Sequence, residues 1–298
     1  MAHEFVIADV FTDTPFGGNQ LAVFPEAQGL SARAMQAFAH EINFAESTFV
    51  LPPADPRHAC RVRIFTPKAE LPFAGHPTVG TAAVLAHLGT MAPATETMIF
   101  EEGIGPVAVE IDTGDGRCFT RLVVEQPVER PPTNPSRRMA AAALSLAEDA
   151  VLDSWFAGLG VRFAFAHLRD KAAVDGAALD RAAWSANFAR AWASAMYLFS
   201  GDPSPGGELY ARMFAPAFGI EEDPATGSGA AALAAVLAER LPEKEGAFAW
   251  RIVQGVALGR PSLIEAAAEK RWNRPARLTV GGCTVITGEG RMNTFPGY

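Results

Sequence analysis

The feature that most constrains the fold of this chain is a segment that occurs once in each half. Arg63-Ile-Phe-Thr-Pro67 recurs as Arg212-Met-Phe-Ala-Pro216, from position 63 to position 212, an offset of 149 in a chain of 298 residues. At the same offset, Gly80-Thr-Ala-Ala-Val-Leu-Ala86 aligns without gaps with Gly229-Ala-Ala-Ala-Leu-Ala-Ala235. Matches at one offset of half the chain indicate an internal duplication, and we therefore expect two lobes built to the same plan.

Apolar and polar residues alternate in several segments of the first half, as they do in strands with one buried face. The pattern predicts strands at 5–11, 21–24, 47–51, 60–64, 107–111 and 119–124. Asp115-Gly116 is typical of the tight turn of a hairpin. Ser31 as N-cap and Asn43 as a C-terminal stop predict a helix over residues 32–42.

Two further helices are predicted from residue 77 or 78 to 88 and from about 227 to 241, and they consist almost entirely of Ala, Val and Leu. A helix that is apolar on all sides must be buried. The predicted fold class is therefore α+β, with two pseudo-symmetric lobes that each wrap a mostly antiparallel, barrel-like sheet around one buried helix. We expect an N-terminal lobe of residues 1–126, to which a C-terminal strand of about 288–298 returns, and a C-terminal lobe of residues 127–287. A proline-rich linker joins the two lobes.

Charge and composition exclude several classes of function. The net charge of −8 disfavours nucleic acids and anionic membranes as partners. Acidic residues stand where a signal peptide carries basic ones, and no apolar segment is long enough to span a membrane. The three cysteines and six histidines show no metal-ligand spacing, and widely separated, odd-numbered cysteines are typical of a reducing compartment. We therefore expect a cytoplasmic protein that needs no metal.

The starts of the two buried helices are the candidate site. The first turn of a helix leaves N–H groups unpaired, and glycines let a ligand approach them closely. Gly75 and His76 lie at the first start, and Asp223 precedes Gly227-Ser228-Gly229 at the second. The offset of 149 places Ala74 against Asp223, so the two halves share a backbone plan but differ in chemistry. Two such starts facing one cleft would bind a small carboxylate.

These segments resemble the PhzF phenazine-biosynthesis-like proteins, which are related in fold to diaminopimelate epimerases and proline racemases. The resemblance runs nearly from end to end of the chain. It rests on several motifs in a fixed order: Phe16-Gly-Gly-Asn19-Gln-Leu-Ala-Val-Phe24, Ala45-Glu46-Ser-Thr-Phe49, Arg63-Ile-Phe-Thr-Pro67, Gly75-His76-Pro-Thr-Val-Gly80, Asp223-Pro-Ala-Thr-Gly-Ser-Gly229 and Gln254-Gly-Val-Ala-Leu-Gly-Arg-Pro-Ser262.

The resemblance implies a cofactor-independent isomerase, active as a homodimer, in which Glu46 takes a proton from one carbon of an unsaturated cyclic acid and returns it to another. It further implies that His76 and Asp223 hydrogen-bond the reacting substrate. It also places Gly75 and Ser228 beside the substrate, and the further candidate substrate-binding residues are Asn19, Gly227 and Gly229. The residues themselves agree with this role for Glu46, because its apolar neighbours favour a carboxyl that can hold a proton.

Two alternatives stay open. A racemase or epimerase of this superfamily uses two facing thiols, and neither helix start carries a cysteine. Such an enzyme would need a second base opposite Glu46, for which the sequence supplies only Asp223 or His76. The other alternative is a binding protein without turnover, since Ala45 stands where the family usually has a polar residue before the glutamate. The motifs do not specify the substrate.

Overall fold

A computed structural model of the chain describes residues 2–90, 97–112, 114 and 117–294. The chain divides into two compact units. Unit 1 runs up to Val123 and takes up the chain again from Gly281, and unit 2 is Val124–Val280. The hairpin turn expected at Asp115-Gly116 and the last four residues of the expected C-terminal strand lie outside the described residues.

Unit 1 is a closed barrel around one helix. Its helices are α1 (Ala32–Ile42) and α2 (Gly75–His87). Its strands are β1 (Ala2–Val10), β2 (Asn19–Phe24), β3 (Glu46–Leu51), β4 (Cys60–Phe65), β5 (Glu70–Leu71), β6 (Thr97–Glu102), β7 (Gly105–Asp112), β8 (Phe119–Val124) and the end of β15 (Arg274–Asn293). The order β1-β2-β3-β4-β6-β7-β8-β15 closes on itself, because β15 also pairs with β1. Helix α2 packs against β1, β2, β3 and β7, and its residues 75–85 are buried.

Unit 2 follows the same plan. Its helices are α3 (Arg137–Ala143), α4 (Lys171–Gly176), α5 (Arg181–Asn187) and α6 (Gly227–Arg240). Its strands are β9 (Val151–Leu159), β10 (Val161–Leu168), β11 (Ala195–Gly201), β12 (Glu208–Phe214), β13 (Gly246–Gln254) and β14 (Ser262–Arg271), in spatial order β9 to β14, with the start of β15 beside β14. Helix α6 is buried along most of its length and packs against β9, β10, β13 and β14.

The duplication read from the sequence is confirmed by the pairing of the strands. In both units two antiparallel pairs are linked by a parallel pair, which is β2 with β3 in unit 1 and β10 with β11 in unit 2. The register is also the same, since Phe49 pairs with Arg63 and Leu198 pairs with Arg212, each 149 residues later. The α+β fold with a buried helix in each half is therefore the fold of this chain.

The repeated arginines stabilise equivalent turns. Arg63 forms an ion pair with Glu70 at 2.7 Å, and Arg212 forms one with Glu222 at 2.8 Å. Each guanidinium also lies over the phenylalanine two residues later, at 5.1 Å for Phe65 and 4.9 Å for Phe214. These arginines are thus held by their own turns, which accounts for the recurrence of the Arg-x-Phe-x-Pro segment.

The helix starts depart from the offset of 149. Helix α2 begins at Gly75, two or three residues before the expected start, and α6 begins at Gly227. Eight positions separate Pro67 from Gly75, whereas eleven separate Pro216 from Gly227. Counted from the helix starts, Ala74 directly precedes α2, whereas Asp223 lies four residues before α6. The longer second loop carries Asp223 outside the helix, where its side chain can bond to the loop itself.

Candidate active site

His76 lies between two polar side chains in unit 1. Its Nε2 is 3.5 Å from Oε2 of Glu46, and its Nδ1 is 3.4 Å from Nδ2 of Asn19. Glu46, His76 and Asn19 are all buried, with 8%, 6% and 2% of their surface exposed. Gly75, the first residue of α2, lies next to His76. Four of the predicted site residues are therefore brought together in this unit.

The backbone of unit 1 fixes this arrangement. Asn43, at φ 56°, ends α1 in the left-handed conformation and turns the chain into β3, which begins at Glu46. Thr48, on the same face of β3 as Glu46, hydrogen-bonds Thr81 of α2 at 2.8 Å. Since α2 also carries His76, this buried contact sets the position of the imidazole relative to the carboxyl.

The imidazole of His76 is neutral at neutral pH. Burial lowers the pKa of His76 to about 3, and a backbone hydrogen bond to Gln20 only partly opposes this shift. Among the described residues, Nε2 makes no hydrogen bond within normal geometry. The contact with Glu46 is therefore a polar contact with a neutral ring and not an ion pair. It leaves Nε2 able to bond to a further group.

The loop before Asn19 is shaped by a buried carboxylate. Oδ2 of Asp9 accepts a hydrogen bond from the N–H of Phe16 at 2.7 Å. Gly18 has a φ of +62°, and a Cβ there would lie 2.4 Å from the carbonyl oxygen of Val10, so only glycine fits. The loop leads into β2 at Asn19, and Asn19 pairs there with Val10 at the end of β1.

Glu102 is a further buried carboxyl, and it contacts the first turn of α2. Oγ1 of Thr78 is 2.6 Å from Oε1 of Glu102 and 2.8 Å from the carbonyl oxygen of Ala74. Burial raises the pKa of Glu102 to about 8. Because a hydroxyl carries one hydrogen, a protonated Glu102 that donates to Thr78 lets Thr78 donate to Ala74. Glu102 thus holds the first turn of α2, which carries His76.

The start of α6 is held by a network of buried side chains in unit 2. Oγ1 of Thr226 donates to Oδ2 of Asp223 at 2.6 Å. The amide of Gln254 donates to the carbonyl of Asp223 at 2.8 Å and to Oγ1 of Thr226 at 2.9 Å. Its oxygen accepts from the N–H of Thr226 and from the hydroxyl of Tyr197, both at 3.2 Å. Gln254 therefore fixes the loop that presents Asp223.

The first turn of α6 contains the other predicted residues. Gly227 and Gly229 are buried and Ser228 is partly exposed. The ring of Tyr197 packs on Gly229, where a Cβ would lie 2.6 Å from the ring. The backbone N–H groups of Gly227, Ser228 and Gly229 lie in the first turn of α6, where a helix provides no intrahelical acceptors. The predicted site residues thus form two groups, one in each unit.

Sequence reasoning assigned no role to Gln254, Tyr197 or Glu102. A signal for Gln254 was present, since Trp250, Ile252 and Gln254 alternate along β13 and all three are almost fully buried. A polar residue on a buried strand face needs hydrogen-bond partners, and the glycine-rich loop supplies them. Glu102 gave no such signal, because it follows another glutamate at a strand end.

Other features of the described residues bear on the chemistry. The three cysteines are free, and burial raises the pKa of Cys60 to about 12 and that of Cys118 to about 11. Cys60 and Cys118 therefore remain protonated thiols at neutral pH. Within the described ranges, no group of three or more His, Cys, Asp or Glu is placed to hold a metal ion. No helix in the described part of the chain has the length and apolar composition to cross a membrane.

Comparisons with known proteins agree on one family. The model of the family described as phenazine biosynthesis-like protein matches residues 8–290. A trans-2,3-dihydro-3-hydroxyanthranilate isomerase of Pseudomonas fluorescens is 38% identical, over 97% of this chain and 99% of its own length. An uncharacterized isomerase of Mesorhizobium japonicum is 36% identical, over 97% and 98%.

The fold is similar to that of a solved relative. The crystal structure of a PhzF-family phenazine biosynthesis protein of Bacillus anthracis aligns with a TM-score of 0.87, over 99% of this chain and 100% of that one, at 20% identity. At that identity the likeness shows the fold. The family match and the isomerases at 36% and 38% identity show the family and the activity: the chain belongs to the PhzF phenazine biosynthesis-like family and is a PhzF-like isomerase.

Proposed function

We propose that this isomerase moves a proton within a small cyclic carboxylate, with Glu46 as the single acid and base. The observation that carries the proposal is the buried contact of 3.5 Å between Glu46 and the neutral ring of His76. A carboxylate that removes a proton from carbon must then hold that proton and give it back. Such a transfer needs no cofactor.

His76 serves this cycle because a neutral imidazole both donates and accepts. One ring nitrogen carries a hydrogen and the other a lone pair, and the two can exchange roles. Nε2, at 3.5 Å from Glu46, can therefore accommodate the carboxyl in its ionised and its protonated form, and it can bond to the substrate during the transfer. Asn19, at 3.4 Å from Nδ1, orients the ring.

The predicted roles in unit 2 complete the proposal. The N–H groups of Gly227, Ser228 and Gly229 and the hydroxyl of Ser228 bind the carboxylate of the substrate. Asp223 hydrogen-bonds a polar substituent of the ring. The named relative of Pseudomonas fluorescens suggests the substrate class, which is a partly unsaturated six-membered ring that carries carboxylate, amine and hydroxyl groups.

The family resemblance also implies a homodimer. Light scattering of the purified protein would test this by measuring its molar mass in solution.

The test is turnover of trans-2,3-dihydro-3-hydroxyanthranilate in D₂O, followed by proton NMR. Wild-type protein should convert it, with part of the migrating hydrogen retained because one carboxyl carries it between carbons. Glu46→Gln should slow conversion by about 10²- to 10⁴-fold without unfolding the protein. Glu26→Gln, an exposed carboxyl of unit 1, is the matched control and should retain full activity.

The outcomes separate the parts of the proposal. Wild-type protein that leaves this compound unchanged overturns the substrate class. Conversion by Glu46→Gln at the wild-type rate would falsify the assignment of the base. Complete exchange of the migrating hydrogen with solvent from the opposite face of the ring would favour a two-base mechanism instead.

A further inference from the structure

Unit 2 contains a cavity of about 310 Å³ away from the start of α6. It is bordered by the C-terminal half of α6, by the turn that joins β14 to β15, and by residues 126–128. Its volume is at the lower end of the range for pockets that bind small molecules, which begins at about 300 Å³. No residue of this cavity takes part in the proposed isomerase reaction.

The lining of the cavity is strongly cationic. Four of its residues are basic, namely Lys244, Lys270, Arg271 and Arg274, whereas Glu239 is the acidic residue among them. Glu239 already forms an ion pair with Arg130. The chain as a whole carries a net charge of −8, so this local excess of positive charge runs against the overall balance. Clustered cations repel one another unless an anion lies between them.

Two of the four cations are held in place by the fold. Nζ of Lys270 donates to the carbonyl oxygens of Ala238 and Leu241, at 2.9 and 3.0 Å, which caps the end of α6 and leaves its third hydrogen available. Arg271 pairs with Glu125 at 3.2 Å. Its Nε is buried and makes no hydrogen bond to any described residue, although such a donor costs about 1–3 kcal/mol when unsatisfied.

The other two cations, Lys244 and Arg274, are exposed, and the side chain of neither forms a hydrogen bond or ion pair with a described residue. Lys244 lies 5.1 Å from the ring centre of Trp272, which is itself 56% exposed. Long side chains of this kind lose conformational freedom on binding, which a multiply charged ligand can offset through several charge-assisted hydrogen bonds.

We propose that this cavity binds a small anion with a phosphate group, either free or as a phosphate ester of a small metabolite. A phosphate offers at least three acceptor oxygens and close to two negative charges at neutral pH. It can therefore bond to the third hydrogen of Lys270 and to the charged groups of Lys244 and Arg274 together. The cavity is larger than one phosphate needs, which leaves space for an attached group.

The test is isothermal titration of the full-length protein with pyrophosphate and with glucose 6-phosphate, each at low and at raised salt. Lys244→Gln combined with Arg274→Gln removes two exposed cations without disturbing a hydrogen bond. The loss of two charge-assisted contacts should weaken binding at least about tenfold. Lys68→Gln combined with Arg117→Gln removes the same charge from exposed positions of unit 1 and is the matched control.

Binding of either compound that is lost in the first double variant and kept in the control supports the site. Tighter binding of pyrophosphate points to free phosphates as ligands, and tighter binding of the sugar phosphate points to esters. Two results overturn the proposal. One is the absence of binding to wild-type protein, and the other is an equal loss of affinity in both double variants, which would reveal unspecific attraction to the total charge.

Discussion

Nε2 of His76 lies 3.5 Å from Oε2 of Glu46, and burial lowers the pKa of the imidazole to about 3. A charged histidine at this distance would bind the carboxylate firmly and hold it ionised. A neutral ring instead accepts both forms of the carboxyl with little change of position. The pair is therefore suited to a group that gains and loses a proton in each turnover.

We predict that His76 stays neutral from about pH 5 to about pH 9, because its pKa is far below this range. The chemical shift of its Cε1–H, measured by NMR and assigned by comparison with His76→Phe, should be constant across that interval. A titration with a midpoint near 6.5 would contradict the neutral ring. His76→Phe should also lower kcat by about 10²-fold or more, because the polar contact with the transferring carboxyl is lost.

Glu102 should make stability depend on pH. Burial raises its pKa from the ordinary 4.5 to about 8, so the folded state holds this proton more tightly than the unfolded state. The resulting stabilisation is complete below about pH 4.5 and is lost as the pH rises through 8. Denaturant unfolding should give a free energy of unfolding that is lower at about pH 8.5 than at about pH 5.5, by on the order of a few kcal/mol. Glu102→Gln should make this difference smaller.

The control for Glu102 is Glu101→Gln, since the neighbouring carboxylate is paired with His58 at 2.9 Å and has a lowered pKa of about 2. That variant should keep the fall of stability towards alkaline pH. Burial raises the pKa of nearby Cys60 to about 12, so its thiol does not titrate in this interval. An unchanged fall in Glu102→Gln would show that another group is responsible.

Much of the fold could be predicted from the sequence, because interactions between neighbouring residues determine it. Ser31 and Asn43 bound α1 at the expected residues, since capping depends only on a few neighbouring groups. The two helices without a polar face could lie only in a core. The start of α2 was missed because Pro77 is typical of the first turn, whereas the helix already begins at Gly75.

The site was harder to predict because its contacts join distant segments. The bond between Thr48 and Thr81 and that between Thr78 and Glu102 depend on how the barrel closes, which no local pattern encodes. Glu46, His76 and Asn19 could be named from the family motifs, and the structure adds their distances. The roles of these residues stay predictions, to be tested with variants of each residue.

Asp223 is predicted to contact the substrate, and Asp223→Asn separates this role from folding. Asparagine keeps an oxygen that can accept the hydrogen bond of Thr226, which is 2.6 Å long in the wild type, so the thermal midpoint should change little. If the carboxylate bonds to the substrate, kcat/KM should decrease by about ten- to a hundredfold. Thr226→Val removes the same internal bond but keeps the carboxylate, and it should lower stability more than activity. Wild-type kcat/KM in Asp223→Asn would exclude Asp223 from the reaction.

Gln254 should contribute to stability through four hydrogen bonds that act together. Gln254→Leu leaves the buried hydroxyl of Tyr197 and the N–H of Thr226 without their acceptor, and it should destabilise unit 2 by about 1–3 kcal/mol for each unsatisfied group. Tyr197→Phe removes one of these bonds with its donor and should cost only about 1 kcal/mol. In the double variant Gln254→Leu with Tyr197→Phe, the buried hydroxyl is absent and needs no partner. The destabilisation of the double variant should therefore be smaller than the sum for the two single variants. Urea unfolding of the four proteins measures this coupling, and strict additivity would show that Gln254 and Tyr197 stabilise the loop independently.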